Sequence, residues 1–391
     1  LGPVEVEAAA ARKRLQHIAR LQARRGAACD IAVARDQQFL HRCHFSDMHS
    51  VTIQPSGQQF QVEDGEAVLA AALRQGLVLP YGCKNGACGT CKGKILVGAV
   101  DYGVYQPKAL PDEDKARGKA LFCQAKPLSD LVIEARTIGA AKGIEVKMLP
   151  CRVQKLERLA DDVMALHLKL PANEKLVFLA GQFIEFLLKD GSRRSFSMAN
   201  APHDAELLQL HVRHVAGGQF TDHVFSKMKE RDILRFEGPL GTFFLREDSA
   251  KPIVFVASGT GFAPIKSIIE EAAKNGVVRP MTLSWGGRRP NDLYLNALAA
   301  RWAAQGVLKY VPVVSNALPE DRWAGRTGFV HRAVMEDFPD LSGHQVYACG
   351  VPVMVDAARR DFSAACRLPE DEFYADSFTT QADLPQPDLP K

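Results

Sequence analysis

The sequence predicts three folded modules in series: a small α+β module, a strand-dominated module and a doubly wound α/β module. Three observations carry this. A tight group of cysteines lies in the first third, strand-like segments fill the middle, and the last third alternates apolar strands with helices. Such alternation is the pattern of a parallel sheet covered on both faces. The 391 residues give room for two or three domains, and a hydrophobic content of 47% is enough for more than one core.

Charge is unevenly placed. Residues 1–48 hold eight Arg/Lys against five acids, +3 of the net +4, so a basic nucleic-acid face is not expected on the folded body. No apolar run approaches the roughly 18 residues of a membrane span, and no secretory signal pattern is present. The expected location is the cytoplasm, with no membrane and no nucleic-acid partner. Residues 1–48 are expected to be a disordered extension, although residues 8–25 form an Arg-rich stretch that also admits a targeting or partner-binding helix. Residues 381–391 are Pro-rich and expected to be a disordered tail.

The first module is expected over 49–138. VTIQ, a PSGQ turn and QFQV read as a hairpin. Val68, Leu69, Ala72 and Leu73 then follow helical spacing up to the stop at Gly76. LVIEA (131–135) closes the module, and GAAKG (139–143) reads as a linker. Between helix and closing strand lie Cys83, Cys88, Cys91 and Cys123, with x4 and x2 gaps in the loop and the fourth cysteine expected on a distant strand. That is the plant-type 2Fe–2S spacing. Thiolates are soft, anionic donors suited to iron, and the glycines around them let backbone N–H groups approach the sulfurs. Structural zinc usually pairs two C-x2-C knuckles, which the x4 gap fits poorly. The other cysteines (Cys29, Cys43, Cys151, Cys349, Cys366) are scattered, and an odd total of nine argues against a secreted disulfide framework.

At YGCKNGACGTC the chain resembles plant-type ferredoxin modules fused to flavin reductases. The resemblance implies a β-grasp fold with the cluster near the surface. The second module, expected over 145–247, contains CRVQKLERL, MALHLKL, QFIEFLL and LLQLHVRHV as strands. Its segment Arg193-Arg194-Ser195-Phe196-Ser197 is similar to the R-x-[YF]-S signature of the ferredoxin–NADP reductase superfamily. That similarity implies an antiparallel β-barrel binding FAD, with Arg194 and Ser195 at the cofactor, Arg194 on its pyrophosphate, Phe196 along the isoalloxazine and Ser197 near N5. The family usually has Tyr at the position of Phe196. HVRHVAGGQFTDHVF matches a second family element. There His211 and Val212 run along the flavin, Gly217 and Gly218 admit the pyrophosphate, and Thr221 caps the next helix.

The third module, expected over 250–380, places Gly259, Thr260 and Gly261 between the strand IVFVAS and a helix from Phe262. Gly286 and Gly287 end TLSWGG and Arg288 follows it, a helix is expected over 292–304, and Cys349 and Gly350 end VYACG. All fall at carboxyl ends of strands, where open α/β sheets bind ligands. The resemblance implies an NAD(P)H site here, with Cys349 beside the nicotinamide and Phe378 near the flavin. Arg288 and Arg289 are candidates for a 2′-phosphate, yet relatives with the WGGRRP-x-DLY run favour NADH.

The module order implies an electron-transfer reductase. NAD(P)H gives two electrons as a hydride, a 2Fe–2S cluster takes one at a time, and FAD can do both. Within the family the chain is most similar to the CDP-6-deoxy-3,4-glucoseen reductases of deoxysugar synthesis, whose partner is a sugar-nucleotide dehydratase. Reductase components of aromatic-ring dioxygenases or multicomponent monooxygenases, whose partner is an oxygenase component, are the alternative. An iron–sulfur redox sensor or passive carrier is the reading outside enzymes.

Overall fold

The computed structural model describes residues 48–141 and 143–379. The expected extension and tail lie outside these residues, apart from Met48. Three principal sheets follow one another along the chain, with one small two-stranded sheet beside the first.

The first module contains β1 (His49–Gln54), β2 (Gln59–Val62), helix α1 (Val68–Arg74), β3 (Lys92–Val97), β4 (Val100–Asp101), α2 (Asp112–Ala116), β5 (Lys119–Leu121), β6 (Lys126–Pro127) and β7 (Leu131–Glu134). Its sheet runs β2-β1-β7-β3-β5, with β1 and β7 parallel at the centre and α1 packed over it, which is the β-grasp arrangement. The apolar face read from the sequence is the one buried: Val68, Leu69 and Ala72 are sealed in the core and Leu73 packs at its edge. The first amides of α1 donate outside the helix, Val68 N–H to the Ala125 carbonyl (2.9 Å) and Leu69 N–H to that of Phe122 (2.8 Å). Orphan helix donors thereby fasten the turn that carries Cys123. That cysteine lies in this turn, two residues past the end of β5 and not on the strand where it was expected.

The second module contains β8 (Lys147–Ala160), β9 (Val163–Lys169), β10 (Phe183–Leu187), β11 (Arg193–Ser197), β12 (Leu208–Arg213), α3 (Gln219–Ser226) and β13 (Ile233–Leu240). The order β11-β10-β13-β8-β9-β12 is antiparallel throughout. The Met198–Leu210 bridge and the Ala199 N–H to Gln209 carbonyl bond (2.7 Å) join the two outer strands and close the barrel. Strand β13, which the sequence reading left out, stands between β10 and β8.

The third module contains β14 (Ile253–Ser258), α4 (Phe262–Lys274), β15 (Met281–Gly287), α5 (Asn296–Ala304), β16 (Lys309–Val314), β17 (Arg326–Thr327), α6 (Val330–Asp337), β18 (Gln345–Gly350), α7 (Pro352–Cys366) and β19 (Phe373–Ser377). The parallel order β17-β16-β15-β14-β18-β19 reverses direction at β14. Helices α4 and α5 cover one face and α6 and α7 the other, so β14 and β18 are apolar almost end to end. The helix expected over 292–304 is shorter: a single 3₁₀ turn covers Pro290–Asp292 and α5 begins at Asn296.

Short bonds hold the modules together. Tyr81, two residues before Cys83, exchanges backbone and hydroxyl hydrogen bonds with Thr242 just past β13, at 2.9–3.2 Å. The expected linker is packed: Ile138 and Ala141 share a small apolar cluster with Phe244. Ser267 donates to the Asn200 carbonyl at 2.8 Å, seating α4 on the barrel.

Candidate redox site

The cluster loop positions its sulfurs in pairs. Cys83 N–H points at Cys88 Sγ (3.5 Å) and Cys88 N–H at Cys83 Sγ (3.4 Å), while Cys91 and Cys123 share a thiol hydrogen bond. Two thiols on each of two irons is what a 2Fe–2S cluster needs. The bond with Cys83 lowers the Cys88 thiol's pKa against the opposing effect of burial, with Thr90 helping, and the same bond pushes Cys83 up. Gly86 shows why the loop is glycine-rich: its φ is +79°, and a Cβ would lie 2.8 Å from the Val104 carbonyl oxygen. The donor chemistry and the pairing both fit the cluster.

On β11, alternation sorts the signature residues by face. Arg193 pairs with Glu237 and with Glu185 (3.4 Å), and Ser195 donates to Glu185 at 3.0 Å. Arg194 and Phe196 take the opposite face, where Phe196 packs against Phe186 and Phe220 at 5.9 and 5.2 Å. The hydroxyl of Ser195 is thus committed away from Arg194. His211 bonds Tyr294 of the third module through Nδ1 (2.9 Å). Its Nε2 is buried with no partner among the described residues, and burial drives its pKa down to about 3, so it is neutral. A buried, unpartnered ring nitrogen is costly without a ligand, which suits a bound cofactor. Val212 differs from expectation: its side chain is sealed in the barrel core, leaving only its backbone for a ligand. Thr221 does not cap α3. Gly218 is the N-cap and carries no side-chain cap, and Thr221 ties the loop by bonds to Val215 and Gly218. Gly217, at φ +78°, faces open space.

At the topological switch of the third module, the ends of β14 and β18 touch. A Cβ on Gly261 would lie 2.1 Å from the Cys349 carbonyl oxygen, and one on Gly350 2.1 Å from Ser258 Oγ. Gly259 and Thr260 form the half-buried turn between them. Gly286 has a packing reason instead, since a Cβ there would meet Val330 of α6 at 2.8 Å. Arg288 is held by Asp292 (3.2 Å), and Arg289 grips Asp321 with two bonds of 2.7 and 2.6 Å. Phe378 donates its N–H to the Gly350 carbonyl (2.8 Å) and packs on the core that contains Cys349.

One residue that sequence reasoning missed joins the modules. Asp376 on β19 accepts a hydrogen bond from Ser197 Oγ (3.0 Å) and lies 4.0 Å from Cys349 Sγ. Burial above all raises its pKa to about 7, against the lowering effect of the Ser197 bond. The barrel signature and the nicotinamide-side thiol therefore meet around one carboxyl group. The signal was an acid in the otherwise apolar strand FYADS, opposite Cys349 in register.

These modules define an iron–sulfur flavoprotein reductase. The sequence matches the 2Fe-2S iron-sulfur cluster binding domain over 51–128, the oxidoreductase FAD-binding domain over 150–245 and the oxidoreductase NAD-binding domain over 255–360. The chain belongs to the ferredoxin–NADP reductase superfamily, among members with an N-terminal plant-type ferredoxin domain. It is 41% identical to the CDP-6-deoxy-L-threo-D-glycero-4-hexulose-3-dehydrase reductase of Yersinia pestis, over 84% of this chain and 98% of that one. It is 36% identical to the terephthalate 1,2-dioxygenase reductase component 2 of Comamonas sp., over 85% and 98%. The crystal structure of Amycolatopsis cytochrome P450 reductase GcoB superposes with a TM-score of 0.68 at 34% identity, covering 85% of this chain and 99% of that one. The protein is an NAD(P)H oxidoreductase that moves electrons from NAD(P)H through FAD to a 2Fe–2S cluster and on to a partner component. No helix among the described residues is long and apolar enough to cross a membrane.

Proposed function

We propose that this chain is the cytoplasmic reductase of a CDP-deoxyhexose dehydratase, using NADH, with Ser197, Asp376 and Cys349 as its reaction centre. The observation that carries the centre is the Ser197–Asp376 bond of 3.0 Å, made between the flavin signature and the last strand of the nicotinamide module. Bound FAD supplies the exchange between a two-electron hydride donor and a one-electron acceptor. Asp376, its pKa raised by burial to about 7, can exchange a proton with Ser197 Oγ near neutral pH, and the hydroxyl orients and relays it. Cys349, fully buried, shapes the floor on which the nicotinamide is placed, where small displacements change rates strongly. Arg194, on the face away from the committed Arg193, supplies the charge for the pyrophosphate, with Gly217 leaving room while Gly218 lets the loop close on Thr221 and Val215. His211 offers Nε2 to the cofactor. Gly259, Thr260 and Gly350 line the nicotinamide crevice.

NADH is favoured because both candidate arginines are already engaged by acids, Arg288 by Asp292 and Arg289 by Asp321 with Glu320 at 3.7 Å. A 2′-phosphate would meet these carboxylates. The dehydratase reading is supported by the 41% identity to the Yersinia reductase, and an oxygenase partner is the second reading, supported by 36% identity to the terephthalate component. The test is anaerobic transfer from the NADH-reduced protein to a purified CDP-hexulose dehydratase and to a ring-hydroxylating oxygenase component. Saturable transfer to the dehydratase alone is expected. Transfer to the oxygenase alone overturns the assignment.

A further inference from the structure

Two buried residues fasten the cluster loop to the barrel, Tyr81 (5% exposed) and Thr242 (4%), which lie 161 positions apart. The Thr242 hydroxyl accepts the Tyr81 N–H (2.9 Å) and donates to the Tyr81 carbonyl (2.9 Å). The Thr242 N–H reaches the same carbonyl at 3.2 Å. One hydroxyl thus satisfies both backbone groups of Tyr81 where water is excluded, and in such surroundings a hydrogen bond is at its strongest.

Each partner is continuous with one redox site. On one side Tyr81 runs through Gly82 into Cys83, and a Cβ on Gly82 would lie 3.4 Å from Cys88 Sγ. On the other, Thr242 follows Gly241, where a Cβ would lie 2.6 Å from the ring of Phe183. In the barrel's strand register Phe183 stands between Leu240 of β13 and Ser197 of the flavin signature. Thr242 is itself held from behind, since Arg246 donates to its carbonyl at 2.9 Å. The Arg246 guanidinium lies 4.3 Å from the ring centroid of Phe244 and 4.7 Å from that of Tyr374 on β19. The clasp is therefore anchored in the barrel and the nicotinamide module together.

We propose that Thr242 is the positioning residue for the electron step from FAD to the cluster: its hydroxyl locks the cluster loop at a fixed separation from the flavin signature. The inference rests on the electron route through FAD. In that step one electron leaves the reduced flavin and enters the cluster, where one ferric iron becomes ferrous. Thr242 carries no proton, and no bond of the chain is made or broken. Electron tunnelling weakens steeply with separation and passes better along covalent and hydrogen-bonded links than across gaps. A joint of three hydrogen bonds, a single residue away from Cys83, holds that separation against the relative motion of two modules with separate cores.

The experiment compares the full-length holoprotein with Thr242→Val, which loses the hydroxyl at nearly the same shape, and Thr242→Ser, which keeps it. Anaerobic stopped flow with NADH follows flavin bleaching and cluster reduction as separate phases, and redox titration gives both midpoint potentials. Hydrogen exchange at the Tyr81 amide, read by mass spectrometry, reports the clasp itself. Thr242→Val should bleach its flavin at the wild-type rate, keep both potentials, lose protection at Tyr81 and slow cluster reduction about tenfold. Thr242→Ser should match the wild type in every respect. An unchanged cluster rate in Thr242→Val overturns the proposal, and so does equal slowing in both variants, which would mark a packing effect. Slowing accompanied by a shifted potential also overturns it, because driving force and not position would then be the cause. Should Thr242→Val not fold, Thr242→Ala is compared with Thr242→Ser by the same criteria. A wild-type cluster that NADH never reduces would instead break the route on which the inference stands.

Discussion

The cluster loop and the flavin–nicotinamide junction are built on opposite plans. Three of the four cysteines sit within nine residues of one loop, and the fourth is fastened by α1. The junction is assembled from Ser197, Cys349 and Asp376, spread over two modules and separated by up to 179 positions. A local site tolerates movement of the rest of the chain, whereas a distributed one depends on the docking of α4 and β19 against the barrel. The two should therefore fail separately, and each prediction below uses that separation.

The largest effect is expected from Cys88→Ser. Serine is a harder oxygen donor that holds iron less well, and the other modules have their own cores. The variant should lose the cluster and its transfer to cytochrome c or a protein partner, while NADH–ferricyanide activity through FAD persists. Loss of both activities with flavin still bound would show that the two sites are not separable. Arg194→Ala makes the reverse cut. Removing a charge-assisted phosphate contact costs about 1.5–3 kcal/mol, so FAD affinity should fall roughly tenfold to a hundredfold. Cluster absorbance should remain, and unchanged flavin affinity would reject the assignment of Arg194.

A smaller effect separates the junction by pH. Asp376 is neutral below about 7 and charged above it. A carboxyl that keeps its proton beside Ser197 favours placing negative charge on the flavin side, so flavin reduction by NADH should slow as pH rises through 7. Asp376→Asn should flatten that inflection, and a preserved inflection would move the ionisation elsewhere. The sign for stability is the same. The folded-state pKa exceeds the ordinary value of 3.8, so the native state binds the extra proton and this group's contribution falls as pH rises from about 3.8 to 7. The smallest effect is expected from Cys349→Ala, which should fold and hold both prosthetic groups yet slow flavin reduction in stopped flow. A wild-type rate would leave Cys349 as a packing residue.

The same contrast explains what was legible in the sequence. Cysteine spacing and strand–helix alternation are local signals, so the cluster, the barrel signature and the switch-point glycines could be read directly. Strand β13 was missed because its turn-like end, EGPLG, hides the alternation of ILRF. Thr221 read as a cap because the residue type suits one, but the loop geometry gives the N-cap to Gly218. Asp376 became legible only through register: β19 pairs with β18 so that Asp376 faces Cys349, a relation no spacing rule contains.

The central claim is that electrons reach the cluster only through FAD. It is tested by mixing flavin-stripped, cluster-replete protein anaerobically with NADH and following the cluster by EPR. The cluster should stay oxidised until FAD is added back, and then become reduced after the flavin bleaches. Reduction of the cluster by NADH with no flavin present would contradict the route.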